Sequence, residues 1–196
     1  MTSKLRFEVL PSPETNDHQA RVIVDEGDWL GTDFLGLDPP ELSRRLAPGR
    51  ARLVVGRCRC GVVGCCDLIV DVNQREDIVE WRGGDRDPVV FDGASYRAAI
   101  LGLAEDHSWE DLGRTVERCV GEVFVGATID GAAKFDWAST RIESGLVHLS
   151  FSGGAGQELL EFSWDSVSLE SALAGARSLR RERCDEDFET SGNRSA

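Results

Sequence analysis

Lysine is almost missing from this chain. It occurs only at Lys4 and Lys134, and arginine carries the rest of the positive charge. Acid is in excess: 35 aspartates and glutamates stand against 22 basic residues, for a formal net charge of -13. A surface of that sign is repelled by phosphate and by anionic headgroups, which argues against nucleic acid and membrane as partners. Long apolar runs are missing as well. A run such as Ala98 to Leu101 falls far short of the roughly 20 residues that cross a bilayer. The opening Met-Thr-Ser-Lys-Leu-Arg-Phe-Glu has charge but no apolar segment behind it, so a secretory signal is not expected. No G-x-S-x-G, H-E-x-x-H, Walker loop or G-x-G-x-x-G occurs. Histidine is confined to His18, His107 and His148, in a loop, a helix junction and a strand, where a solvated imidazole is the ordinary finding. Nothing here requires a catalytic residue, and none is assigned.

Cysteine, by contrast, is concentrated. Four of the six cysteines, Cys58, Cys60, Cys65 and Cys66, fall within Val54 to Val72. Apolar β-branched runs flank them, and Gly61-Val62-Val63-Gly64 lies between, a pattern that reads as a β-hairpin. With that loop as the turn, Cys60 faces Cys65, Cys58 faces Asp67, Gly56 faces Ile69 and Val54 faces Asp71. Alternation then puts Leu53, Val55, Leu68, Val70 and Val72 on the core face, and Cys58, Cys60, Cys65 and Asp67 on the other. A one-residue slip would exchange some of these roles.

Three chemistries fit that cluster. Zinc takes four N, S or O ligands in a tetrahedron. Cys58, Cys60 and Cys65 could supply three, with Cys66, Asp67 or a distant group such as His107 as the fourth. A redox pair of Cys60 and Cys65 is the second, since cross-strand neighbours sit at disulfide distance. The third is simple packing by reduced thiols. Clustered cysteines without a signal segment point to a reducing cytoplasm, not to a secreted disulfide framework.

Taken in order, Leu5 to Leu10 and Arg21 to Asp25 read as strands around a polar turn, Pro11 to His18. Gly27 to Leu37 is expected as a loop anchored by Trp29, Phe34 and Leu37. Asp38-Pro39-Pro40 opens a short helix ended by Pro48-Gly49. After the cysteine hairpin, Asp77 to Trp81 is a third strand and Val89 to Phe91 a short extended run. Asp92 caps a helix to about Glu105. Ser108-Trp109-Glu110-Asp111 has the form of a capping box before a second helix. Leu112, Val116, Cys119, Val120 and Val123 line its dry stripe; Glu110, Arg114, Glu117 and Arg118 line its wet face. Three strand candidates follow: Thr128 to Trp137, Leu146 to Phe151 and Leu159 to Trp164. The glycine-rich Ser152 to Gln157 joins two strands, so it offers no helix N-terminus for an anion. Asp165 caps the last helix.

Such an order predicts an α+β fold in one domain, residues 1–179: an antiparallel, mostly meander sheet with helices packed on one face. Leu53, Val55, Leu68, Val70, Leu112, Val116, Val120, Val147, Leu149, Phe151 and Phe162 are expected in one core. Residues 180–196 read as a polar, disordered tail.

The motif R-C-R-C-G-V-V-G-C, then V-E-W at Val79 to Trp81, V-V-F-D-G-A-S-Y at Val89 to Tyr96 and S-W-E at Ser108 to Glu110 resembles a family of uncharacterised bacterial, largely actinobacterial, proteins with a C-x-C-G-x-x-G-C hairpin. The resemblance covers about the middle half of the chain. It implies no activity and no catalytic residue. It makes Cys58, Cys60 and Cys65 the motif cysteines and leaves Cys66 outside the pattern.

Two functional classes follow. The first is a small acidic cytoplasmic interaction protein without catalysis, immunity-like or regulatory, docking on a protein partner through its acidic face. The alternative is a zinc-binding or thiol-redox protein working through Cys58 to Cys66.

Overall fold

In the computed structural model the described residues are 1–12, 17–47, 49–60, 62, 64–83, 85–154 and 156–184. Chain order runs β1 (Leu5–Pro11), β2 (His18–Val24), β3 (Gly27–Asp28), β4 (Phe34–Leu35), α1 (Pro39–Leu46), β5 (Arg52–Cys58), β6 (Leu68–Arg75), β7 (Ile78–Arg82) and β8 (Val89–Asp92). It continues through α2 (Gly93–Glu105), α3 (Leu112–Phe124), β9 (Thr128–Ile129), β10 (Ala133–Ser139), β11 (Leu146–Gly153), β12 (Gly156–Ser163) and α4 (Leu169–Arg183). The fold is α+β, and every ladder between these strands is antiparallel. Sheet neighbours are chain neighbours: β1-β2-β3, β4-β5-β6-β7-β8 and β12-β11-β10-β9.

Where the sequence pattern suggests one domain around one sheet, the chain divides into two compact units, Met1–Trp109 and Glu110–Ala196. Each has its own core. Leu53, Val55, Leu68 and Val70 belong to the first; Val116, Val120, Val147, Leu149 and Phe151 belong to the second. Phe162 packs on the second core half-buried, and Leu112 is exposed instead of buried. Helices α1 and α2 contact strands of the first unit, and α3 and α4 contact β10 and β12 of the second. Two local cores satisfy the same apolar residues that could also have made one.

In the first unit the centre is Trp81, fully buried on β7. Its ring meets Trp29, Phe91 and Tyr96 edge-on at 5.7, 5.2 and 5.9 Å. Its Nε1–H donates to Tyr96 Oη at 3.3 Å, which satisfies the indole in a dry site. Residues 27–37, expected as plain loop, contain β3 and β4. Buried Arg21 holds that segment: it pairs with Asp28 at 2.5 Å and donates to the carbonyls of Phe34 and Gly31 at 2.7 and 2.6 Å. Gly36 sits where an added Cβ would lie 2.3 Å from the Ala20 carbonyl oxygen, so no larger residue fits there.

In the second unit two helix starts differ from the sequence expectation. Asp111, not Ser108, caps α3, accepting from Arg114 N–H at 2.8 Å. The Ser108 hydroxyl is engaged by Asp106 instead, at 2.6 Å. Ser168, not Asp165, caps α4; Asp165 accepts from the N–H groups of Val167 and Ser168 just ahead of it. Arg180 to Arg183 continue α4, which shortens the expected tail; residues 185–196 lie outside the described residues.

The expected wet face of α3 also changes role. Arg114 and Glu117 are both buried, paired at 2.8 Å. Glu117 Oε1 further accepts from Thr140 N–H at 2.8 Å and Arg141 Nε at 3.0 Å, with the Ser139 and Thr140 hydroxyls at 3.3 Å. One carboxylate thus ties α3 to the end of β10. A buried carboxylate is tolerated only when its lone pairs are filled in this way.

Three substitutions test the packing by chemical denaturation. Val70→Ala should lower stability by roughly 1–4 kcal/mol, because Val70 is fully buried. Leu112→Ala should change it by about 0.5 kcal/mol or less. Glu117→Ala should lower it by about 3–5 kcal/mol, because it strips a buried charge pair of one partner. A neutral Glu117→Ala would remove that carboxylate as the tie between α3 and β10.

Candidate metal centre

The cysteine segment is built by β5 and β6, but not as the simple hairpin expected. Leu53 pairs with Val70 and Val54 with Ile69; a bulge follows, and Gly56 pairs with Leu68. The expected pairs of Gly56 with Ile69 and Val54 with Asp71 are therefore displaced. The bulge opposes two residues to one and lets Val55 stay buried next to Gly56. Strand β5 ends at Cys58 and β6 begins at Leu68, so the connection is residues 59–67, longer than the four-residue turn expected. Gly61 and Val63 of that turn lie outside the described residues. On its other side Cys58 pairs with Phe34 of β4.

Within this connection the thiols of Cys58, Cys60 and Cys65 come together. Their sulfurs all lie within 4.8 Å of one another, close enough to hold a metal ion. Cys58 is half-buried; Cys60 and Cys65 are exposed. The loop, not a cross-strand ladder, makes the cluster. Cys65 N–H donates to the Val62 carbonyl at 3.2 Å. Gly64 takes φ of 78°, a left-handed conformation that a side chain would strain.

Asp67 and Cys66, the two nearest candidates for a fourth ligand, are not in the three-sulfur group, nor is His107. Asp67 has a different task. One carboxylate oxygen accepts from Cys58 N–H at 3.4 Å and the other from Gly64 N–H at 3.1 Å. Its charge thus ties the end of β5 to the far side of the loop, the positions from which the sulfurs project. An acidic residue two or three places from a glycine turn is a common backbone acceptor. That competing role was readable in the sequence but not decided by it.

Proton affinities in the cluster are unequal. The N–H of Val62 and then the thiols of Cys58 and Cys65 hydrogen-bond the Cys60 sulfur, which lowers its pKa from the ordinary thiol value. Cys65 is pushed up to about 12, first by its hydrogen bond with Cys60 and then by that with Cys66. Cys60 is therefore the more acidic thiol of the two and Cys65 the weaker acid beside it. Thiolates are the form that binds metal and attacks disulfides.

The remaining sequence candidates fall elsewhere. Cys119 lies half-buried on α3 and Cys184 half-buried at the end of α4, and neither joins the three-sulfur group. His148, read as a surface residue, is buried on β11 with its Nδ1 3.6 Å from a Glu161 oxygen. Alternation along β11 did not reveal this, because both faces of that strand are covered. The expectation of no membrane span agrees with the fold to this extent: no helix among the described residues is long and apolar enough to cross a bilayer. No family model, curated protein or solved structure matches this chain.

Unequal acidity predicts an order of alkylation. In reduced, metal-free protein, iodoacetamide should modify Cys60 at lower pH than Cys65, because the thiolate population rises first at the sulfur with the lower pKa. Peptide mass spectrometry across pH reads this directly, and Cys65 reacting first would reverse the assignment. Asp67→Ala should leave the core intact yet raise amide exchange at Cys58 and Gly64.

Proposed function

We propose that this protein binds zinc through the thiolates of Cys58, Cys60 and Cys65. The observation that carries this reading is the convergence of the three sulfurs to within 4.8 Å. Zinc–sulfur bonds of about 2.3 Å place tetrahedral ligands about 3.8 Å apart. The sulfurs must therefore close by no more than about 1 Å, a shift that an exposed loop accommodates. The donors suit the ion, since thiolates favour zinc over hard cations such as magnesium or calcium. Binding would release the thiol protons, so affinity should fall as pH drops.

All three sulfurs lie beyond Gly56 and Leu68, the last paired residues of β5 and β6. The core beneath does not use them. Zinc at this position would order the loop and leave the folding of the first unit to its apolar residues.

The same cluster supports a redox role in one respect. The Cys60 sulfur is the favoured thiolate and has Cys65 beside it, the arrangement from which a disulfide forms under an oxidant such as peroxide. Formation would remove two hydrogens and abolish the metal site. Separately, the net charge of -13 supports the docking of a basic protein partner in the cytoplasm, immunity-like or regulatory, without catalysis.

The test is metal analysis of protein purified under reducing conditions and dialysed against zinc. About one zinc per chain is expected. Cys58→Ser, Cys60→Ser and Cys65→Ser should each lose it while keeping native circular dichroism; Cys66→Ser and Cys119→Ser should retain it. Zinc should raise the melting temperature of the wild type but not of Cys60→Ser, because a ligand stabilises only the state it binds. A wild type that takes up no zinc, or Ser variants that bind as well as it does, would defeat the reading.

A further inference from the structure

We propose that the metal ion held by Cys58, Cys60 and Cys65 takes its fourth ligand from outside the chain, and that this ligand is a thiolate. The inference rests on the zinc reading above and names what the same site would receive.

Among the described residues, no fourth cysteine, histidine, aspartate or glutamate joins the three-sulfur group. The nearest candidates are committed or displaced. Asp67 holds the N–H groups of Cys58 and Gly64 with its two oxygens, and turning it to the metal would release both ends of the loop. Cys66 hydrogen-bonds Cys65 from the side and is exposed, without reaching the other sulfurs. A zinc site closed by protein carries four ligands; one with three keeps an exchangeable position.

Cys60 and Cys65 are exposed, and the connection that carries them projects past the end of the β5–β6 ladder. A group from solution can reach a metal there without any movement of the core. The class of ligand follows from softness. An ion already bound by three thiolates prefers a further sulfur donor to a carboxylate or an alcohol oxygen. Four thiolates on zinc carry a net charge of about -2, and positive residues alternate with these sulfurs in the chain, Arg57 before Cys58 and Arg59 after it. Arg59 donates to the Thr32 carbonyl at 3.2 Å, and Arg57 pairs with Glu41 at 3.5 Å.

Cobalt(II) makes the idea measurable, because its ultraviolet thiolate band grows with the number of cobalt–sulfur bonds. The reduced 196-residue chain would be loaded with cobalt and titrated with β-mercaptoethanol, with ethylene glycol as the oxygen analogue. The expected result is a saturable rise of about one third in the ultraviolet band, as three cobalt–sulfur bonds become four. Wild type and Cys66→Ser should respond alike, and ethylene glycol should do nothing. A full four-sulfur band before any thiol is added, reduced in Cys66→Ser, would make Cys66 the fourth ligand and overturn the proposal. So would a band indifferent to thiol, which would mean that water fills the position. Failure to form any thiolate–cobalt band at all would be a different failure, that of the zinc reading itself.

Discussion

Burial of one face of β5 and β6 is the constraint on which the cysteine end of the protein depends. Leu53, Val55, Leu68 and Val70 are nearly or fully excluded from solvent, and the aromatic group around Trp81 belongs to the same core. Those side chains account for the stability of the strand pair up to Gly56 and Leu68. Beyond that point no described residue of the loop belongs to the core, and Asp67 and Cys65 make hydrogen bonds across it. The bulge at Val55 breaks the regular β5–β6 ladder one pair before its end at Gly56 and Leu68, and past it β5 pairs only with β4, as far as Cys58.

A loop held by hydrogen bonds alone is easier to reshape than one held by packing. Asp67 limits that freedom by binding two backbone N–H groups across the loop. The three sulfurs are consequently near one another before any ion is present, which lowers the ordering entropy that binding would otherwise spend. They are also exposed, which keeps them in exchange with solvent. These two properties together suit a site that takes up and releases a ligand better than one that holds a fold together. Structural zinc sites in small domains usually replace a core; here the core is already complete without the sulfurs.

The second unit solves a different problem by the opposite means. Its helix α3 buries Arg114 and Glu117, and Glu117 is held by donors from Ser139, Thr140 and Arg141 on one oxygen and by Arg114 on the other. Such a network adds geometric specificity more than net energy, since the desolvation of both charges offsets most of their attraction. In this unit the polar residues define how the helix meets the strand. In the first unit they fix connecting segments, Arg21 the stretch 27–37 and Asp67 the loop at the strand ends.

Local patterns determined much of this protein. The strand at β11, the Asp92 cap of α2, the core face of β5 and β6 and the meander order are all properties of neighbouring residues, and the sequence carried them. The cysteine spacing likewise marked Cys58, Cys60 and Cys65 as one group. Tertiary structure decided the rest. Apolar periodicity says that a face is buried but not against what, so one core and two cores looked alike. Charge on α3 reads as a wet face until a strand end arrives with the donors that make burial of Glu117 tolerable. The β5–β6 register turned on a single bulge, which exchanges partners without altering composition. Asp67 reads equally as a metal ligand or a backbone acceptor in the sequence; the folded loop brings two N–H groups to its carboxylate.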